Sequence, residues 1–249
     1  GPDRGEQACG ETGMGRMLEP EQLLTMLDTA TTPKLLAGKK ILITAGPTME
    51  MIDPVRAITN ISSGKMGYSI AQAAWAMGAK VTLVSGPTSL TPPADVETVQ
   101  VVSAGEMHDA VMARVPLQDI FISVAAVADY KPADTSTRKL KKSEHTLTLE
   151  LSPNIDILAK VAALDHGPFC VGFAAESDQL IEYASQKRLR KQLPLIVANL
   201  VDESMGKADA TLTLIDDRGN HPLPQASKAV QAHLLLQHVA GMLKNPDPH

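Results

Sequence analysis

A chain of 249 residues with 44% apolar and 20% charged side chains can bury one large core or two small ones. A net charge of −5 argues against a nucleic-acid surface, and no apolar run approaches the ~20 residues of a membrane span. Two cysteines, Cys9 and Cys170, are too few for a disulfide framework and point to a reducing, cytoplasmic setting.

The opening Gly1-Pro2 looks like a protease scar, and the N-terminus lacks the apolar stretch of a signal peptide. Residues 1–36 read as a polar lead-in, with one short helix in "EPEQLLTMLDTATT". Residues 37–249 read as one domain. "KKILITAG" is a buried strand with a glycine stop. A loop of about twenty residues follows, far longer than the usual two to six. It carries Asp53, Arg56 and Asn60, then "NISSGKMG". That run is neither a Walker loop nor G-x-G-x-x-G. Ser62, Ser63, Gly64, Lys65, Met66 and Gly67 offer backbone N–H groups and a helix N-terminus to a phosphate. The plain alternative is that Ser63 is only an N-cap.

"GKMGYSIAQAAWAMGA" has apolar residues at helical spacing, with Gly78 suited to its C-terminal cap. "KVTLVSG" and "ETVQVV" are strands. "SAGEMHDAVMARV" is a helix opened by Ser103 and Glu106 as a capping box. "DIFISVAAVADY" is a long apolar strand ending at Asp129, a carboxylate able to accept from an amine or a sugar hydroxyl. "RKLKKSEHTLTLEL", residues 138–151, alternates like two strands of a projecting hairpin. Such an edge needs a cover, so a homodimer arm is expected here. Within it Lys139 and Lys141 share a strand face and suit a lid over phosphate.

"NIDILAKVAAL" is a helix with Asn154 or Asp156 as its N-cap. "FCVGFAA" is a strand whose Phe173 is placed to stack on a base. "DQLIEYASQKRLRKQ" is a helix with Lys187 and Lys191 one turn apart on one face. "LPLIVANL" and "DATLTLID" are strands, and "SKAVQAHLLLQHVAGML" closes the chain. Apolar strands alternating with helices give an α/β fold: a doubly wound, mostly parallel, Rossmann-like sheet. Ligands then sit beyond the carboxyl ends of the strands. The seven histidines show no metal-ligand spacing, so no metal is expected on protein side chains. The gathered lysines and helix starts suit a polyphosphate instead, with any divalent ion held by the phosphates. An NAD(P) oxidoreductase of this fold needs an acid after its second strand, and "LVSGPTS" has none.

"ILITAGPT", "DPVR", "ITNISSGKMG", "AAVADY", "KLKK", "GFAAE" and "KRLRKQLPLIVAN" occur in that order. In these residues the chain closely resembles the phosphopantothenoylcysteine synthetases, over roughly residues 38–243. These are the ligase domains of bifunctional coenzyme A biosynthesis proteins. "ACGETGMGRMLEP" resembles the tail of the fused flavin-dependent decarboxylase, whose FMN belongs to that other domain. The resemblance implies a Mg2+- and CTP-dependent joining of 4′-phosphopantothenate to L-cysteine through an acyl-cytidylate, in a homodimer. It implies that Asn60 holds the acyl-cytidylate and that Arg56 serves the second half-reaction. Lys139 matches the flap lysine of the first. Ser123, Val124, Ala125, Asp129, Phe173, Lys187 and Lys191 match CTP contacts, as does the helix start Asp156, Ile157, Leu158 and Ala159.

Overall fold

The computed structural model describes residues 3–6, 11–16, 29–142, 146–176, 179–200 and 209–244. Its centre is an eight-stranded sheet ordered β15-β14-β12-β11-β8-β3-β6-β7. Here β3 is Lys40–Ala45, β6 Lys80–Ser85, β7 Glu97–Gln100, β8 Ile120–Ser123, β11 Phe169–Glu176 and β12 Leu195–Leu200. These six pair in parallel, whereas β14 (Thr213–Asp216) and β15 (Gly219–Pro222) add antiparallel at one edge.

The apolar strands are buried on both faces because helices cover both. Ile41, Ile43 and Ala45 of β3 pack under α1 (Lys65–Ala76) and α5 (Lys228–Lys244). Leu42, between them, points the other way, into the layer under α2 (Ala104–Met112), α3 (Ile157–Ala162) and α4 (Leu180–Arg190). The strand period of two sorts neighbouring side chains to opposite cores. Each such Ile or Leu contributes about 1.5–3 kcal/mol by leaving water.

The expected punctuation of the helices holds. Gly78 follows the last turn of α1 at φ 88°, a conformation glycine adopts without strain. Ser103 accepts from the Glu106 N–H, and Glu106 in turn accepts from the Val102 N–H.

Several expectations need correction. The strand "DIFISVAAVADY" ends at Ser123, because the chain then turns to an isolated bridge beside Pro47, where the Ala126 N–H donates to the Gly46 carbonyl and its carbonyl accepts from the Thr48 N–H. The long loop after β3 is not structureless: β4 (Met49–Met51) and β5 (Ala57–Thr59) form a small antiparallel hairpin inside it. "DATLTLID" splits into β13 (Asp209–Ala210) and β14, and β13 pairs with β16 (Ala226–Ser227) away from the main sheet. Among the described residues of 138–151, only Leu151 lies in a strand. The hairpin forms at the base instead, where β9 (Tyr130–Pro132) pairs with β10 (Leu151–Pro153). Beyond that base the Ala133 N–H still donates to the Glu150 carbonyl at 2.9 Å, but no further strand forms among the described residues of the arm, and a two-stranded ribbon is weak by itself. Residues 143–145 at the centre of the arm lie outside the described residues.

In the lead-in, β1 (Asp3–Glu6) and β2 (Thr12–Arg16) form a hairpin that the composition did not announce. Most of the short helix expected over "EPEQLLTMLDTATT" lies outside the described residues; 29–31 are helical. Cys9 is also outside them, and Cys170 is a buried core thiol pushed up to about 12 by desolvation.

Candidate functional site

A cavity of about 1160 Å³ opens at the carboxyl ends of β3, β8 and β11. It gathers Asn60, the whole run from Ser62 to Gly67, Ser123, Val124, Ala125 and Asp129. Asp156, Ile157, Leu158, Phe173, Lys187 and Lys191 complete the expected set along its wall. Arg56, Lys139 and Ala159 do not line it.

The start of α1 decides between the two readings of "SSGKMG". Gly64, not Ser63, is the N-cap, at φ 74° and with no capping side chain. Ser62 Oγ accepts from the Gly64 N–H at 3.3 Å, and Ser63 Oγ only grazes the Lys65 N–H at 3.5 Å. The N–H groups of Met66 and Gly67 keep no capping side chain, and both residues line the cavity. An uncapped helix start over a cavity leaves backbone donors that an anion could accept from. Close packing holds it there: a Cβ on Gly67 would come 2.5 Å from the Ala45 Cβ.

Lys228, the first residue of α5, was missed by sequence reasoning because nothing in a closing helix pattern marks it. It lines the same cavity as Lys65. Burial lowers the Lys228 pKa, and the charge of Lys65 lowers it further. Two ammonium groups close enough to disturb each other favour an anion between them.

Asn60 is fixed by its amide. Nδ2 donates to the carbonyls of Ala126 at 3.3 Å and Val127 at 3.0 Å. That fixes the roles of its two side-chain atoms and presents Oδ1 as an acceptor. The strand-end turn is stiff in its own right. Thr44 and Thr48 hydroxyls accept from the N–H groups of Ala125 and Ala128. Asn154 donates to the Ala128 carbonyl at 2.9 Å, tying the α3 approach to the same turn.

Across the sheet, α4 supplies two lysines with different partners. Lys191 Nζ pairs with Asp156 Oδ2 at 2.5 Å. Asp156 Oδ1 caps α3 by accepting from the Ala159 N–H at 3.0 Å, so the expected N-cap is Asp156, and Ala159 serves the cap. Burial alone would raise the Asp156 pKa; Lys191 and the cap outweigh it, and the carboxyl titrates below its ordinary value. Lys187 Nζ donates to the Phe173 carbonyl at 2.9 Å. Its pKa is lowered by burial and by Lys191, against the pull of Glu176, Asp156 and Asp129.

Arg56 is engaged outside the cavity wall. Its guanidinium clasps buried Asp53 through Nε at 2.9 Å and through Nη2. Nη2 also donates to the Leu140 carbonyl at 2.7 Å, while Asp53 accepts from the Leu140 N–H at 3.1 Å. The Arg56 bond, helped by the Val55 and Leu140 N–H groups against burial, holds Asp53 far below the usual carboxylate range. This latch grips "KLKK" at its middle, leaving Lys139 and Lys141 exposed on either side. The lining carboxylates Asp129 and Asp156 do not make a ligand cluster, because Asp156 is already paired. The donor set fits a divalent ion carried on phosphate oxygens rather than caged by protein.

Residues 36–243 match the family of DNA/pantothenate metabolism flavoprotein C-terminal domains. The chain belongs to this family. The coenzyme A biosynthesis bifunctional protein CoaBC of Vibrio vulnificus is 50% identical over 98% of this chain. The chain spans 62% of that relative's length. A crystal structure of a CoaBC C-terminal domain superposes with a TM-score of 0.75 at 41% identity, covering 85% of this chain and 99% of that one. A Cab2 variant in complex with phosphopantothenate-cysteine shares the fold at a TM-score of 0.71 and 16% identity, covering 92% and 95% of the two chains. The doubly wound reading of the sequence therefore agrees with the family's solved fold.

Proposed function

We propose that this domain is a ligase that joins 4′-phosphopantothenate to L-cysteine at the expense of CTP. One observation carries the reading. A single cavity takes an uncapped helix start with Lys65 and Lys228 from one face of the sheet, and Lys187, Lys191 and Asp156 from the other. That arrangement suits two phosphorylated ligands meeting over the strand ends. The relatives' names, and the ligand named in the Cab2 complex, supply the substrate class.

The chemistry asks little covalent help of the protein. The phosphopantothenate carboxylate attacks the α-phosphorus of CTP, the α–β bridge breaks, and pyrophosphate leaves. The cysteine amine then attacks the acyl carbon, and CMP leaves. Both reactants of the first step are anions, so preorganised positive charge is the main contribution. In this reading Ser62, Ser63, Gly64, Lys65, Met66 and Gly67 hold phosphate. Phe173 and Asp129 receive the nucleoside, and Lys187 and Lys191 its phosphates. Asn60 Oδ1 holds the acyl-cytidylate, and Lys139 reaches it from the arm. Mg2+, if carried on the CTP phosphates, would offset their charge. Arg56 supports the arm through Asp53 rather than touching ligand directly.

Residues 37–249 form the ligase domain, and 1–36 hold the tail of a decarboxylase domain. The arm is covered by a second copy, which buries Leu147, Leu149 and Leu151, all exposed in one chain. The setting is cytoplasmic; no described helix is long and apolar enough to cross a membrane. The test is pyrophosphate release with Mg2+, CTP and 4′-phosphopantothenate, with ATP in parallel. Release with CTP and not with ATP supports the reading. CTP binding without release under these conditions refutes it.

A further inference from the structure

The expectation that histidines are scattered fails at the sheet edge. Asp216 ends β14, His221 lies on β15, and His238 lies in α5. Their ligand atoms all lie within 4.8 Å of one another. Asp216 is buried, and both its oxygens are engaged: Oδ1 lies 2.9 Å from His221 Nε2, and Oδ2 lies 2.9 Å from His238 Nε2. The Arg218 N–H at 2.8 Å fixes Oδ1.

We propose that Asp216, His221 and His238 form a binding site for a zinc-class divalent cation, separate from the ligand cavity. Two imidazoles and one carboxylate select late first-row metals, whereas Mg2+ prefers oxygen and water. A tetrahedral metal with bonds of about 2.0–2.1 Å needs donors roughly 3.3 Å apart. Each imidazole Nε2 already stands 2.9 Å from one carboxylate oxygen, His221 from Oδ1 and His238 from Oδ2. The His221 side chain, 36% exposed, has room to move toward the other donors. The His238 side chain is 23% exposed, so the fourth position opens to water.

Each imidazole Nε2 now faces a carboxylate oxygen at hydrogen-bond distance. A metal takes the place of these two bonds, each imidazole binding neutral through Nε2 with its proton on Nδ1. Neighbouring Asp217 does not compete, because Arg188 pairs with it at 2.8 Å. The site is remote from the cavity: His238 lies ten residues along α5 from cavity-lining Lys228, about 15 Å at the helical rise. A metal here would staple the edge hairpin β14–β15 to the closing helix. The inference stands or falls independently of the ligase reading.

The experiment titrates Zn2+ into the full chain after chelator treatment, by calorimetry and by melting temperature, with Co2+ absorption as the spectroscopic check. One site per chain is expected, with a rise in Tm and tetrahedral-type Co2+ bands. His221→Gln and His238→Gln keep the polar shape of the cluster and should each weaken binding at least about tenfold. His233→Ala, changing a half-buried histidine five residues earlier on α5, should bind as the parent does. Zn2+ uptake by the double His221→Gln/His238→Gln variant equal to that of the parent overturns the proposal. So does a parent that binds no Zn2+, which would make the cluster a hydrogen-bonded clasp only. Pyrophosphate release should be unchanged in all four variants.

Discussion

The two walls of the cavity handle charge in opposite ways. On the α4 side every cation already has an acceptor: Lys191 has Asp156, and Lys187 has the Phe173 carbonyl. On the α1 side the helix start is uncapped, and Lys65 and Lys228 repel each other. The first wall is rigid before a ligand arrives, so it sets position and shape. Under the proposed function, an anion docking at the second would gain binding energy from the uncapped helix start and from relief of the repulsion between the two lysines. Preorganisation and unspent attraction are thus divided between the two faces of one sheet.

The sharpest way to break this contrast is to move the α1 wall bodily. Gly67→Val drives a side chain into Ala45, where even a Cβ would sit 2.5 Å away. Overpacking of this kind costs about 1–3 kcal/mol, and pyrophosphate release should fall by about 100-fold or more. Lys191→Met should come next. It strips Asp156 of its partner, and the KM for CTP should rise by about 10–100-fold, read by initial rates. Lys228→Met removes one of two cations at the α1 wall. A smaller rise in KM, about tenfold, is expected, with weaker salt dependence of binding.

The pH profile sharpens the comparison further. Asp156 and Asp53 have depressed pKa values in the folded chain. Their stabilisation is complete above the unfolded value of about 3.9 and is lost as pH falls through the folded value. Tm should therefore hold through mildly acidic pH and drop only below about 4. In Lys191→Met, burial is left to raise the Asp156 pKa, so the acid drop should begin at higher pH. An unchanged acid limb would mean that Lys191 does not stabilise the Asp156 charge.

The smallest effect should come from Asn60→Asp. CTP consumption should persist while cysteine adduct formation slows, read by single-turnover trapping of the acyl-cytidylate. Normal adduct formation would remove Asn60 from the second half-reaction.

What could be read from the chain follows from how local each cause is. Strands β3, β6, β11 and β12 announce themselves because burial on both faces forces continuous apolar runs. The uncapped start at Gly64 was half legible: its residues suggested an anion seat, but only geometry ruled out Ser63 as the cap. The β4–β5 hairpin was hidden because each strand is three residues long. Lys228 and the Asp216–His221–His238 cluster were illegible for a different reason. They are brought together by tertiary packing across an edge hairpin and a helix, and no sequence spacing encodes that. The arm over 138–151 was legible only at its base, because alternation specifies a strand's faces, not the neighbour that must complete it.

The latch at Leu140 has a consequence in terms of local concentration. A lysine on an untethered segment would search a large volume before finding the ligand. Pinned through Asp53 and Arg56, the segment leaves Lys139 only one residue from a fixed point. A short tether of this kind holds a group at an effective concentration in the millimolar range or above. Under the proposed function, the buried aspartate would thereby keep Lys139 within reach of the ligand at little further entropic cost.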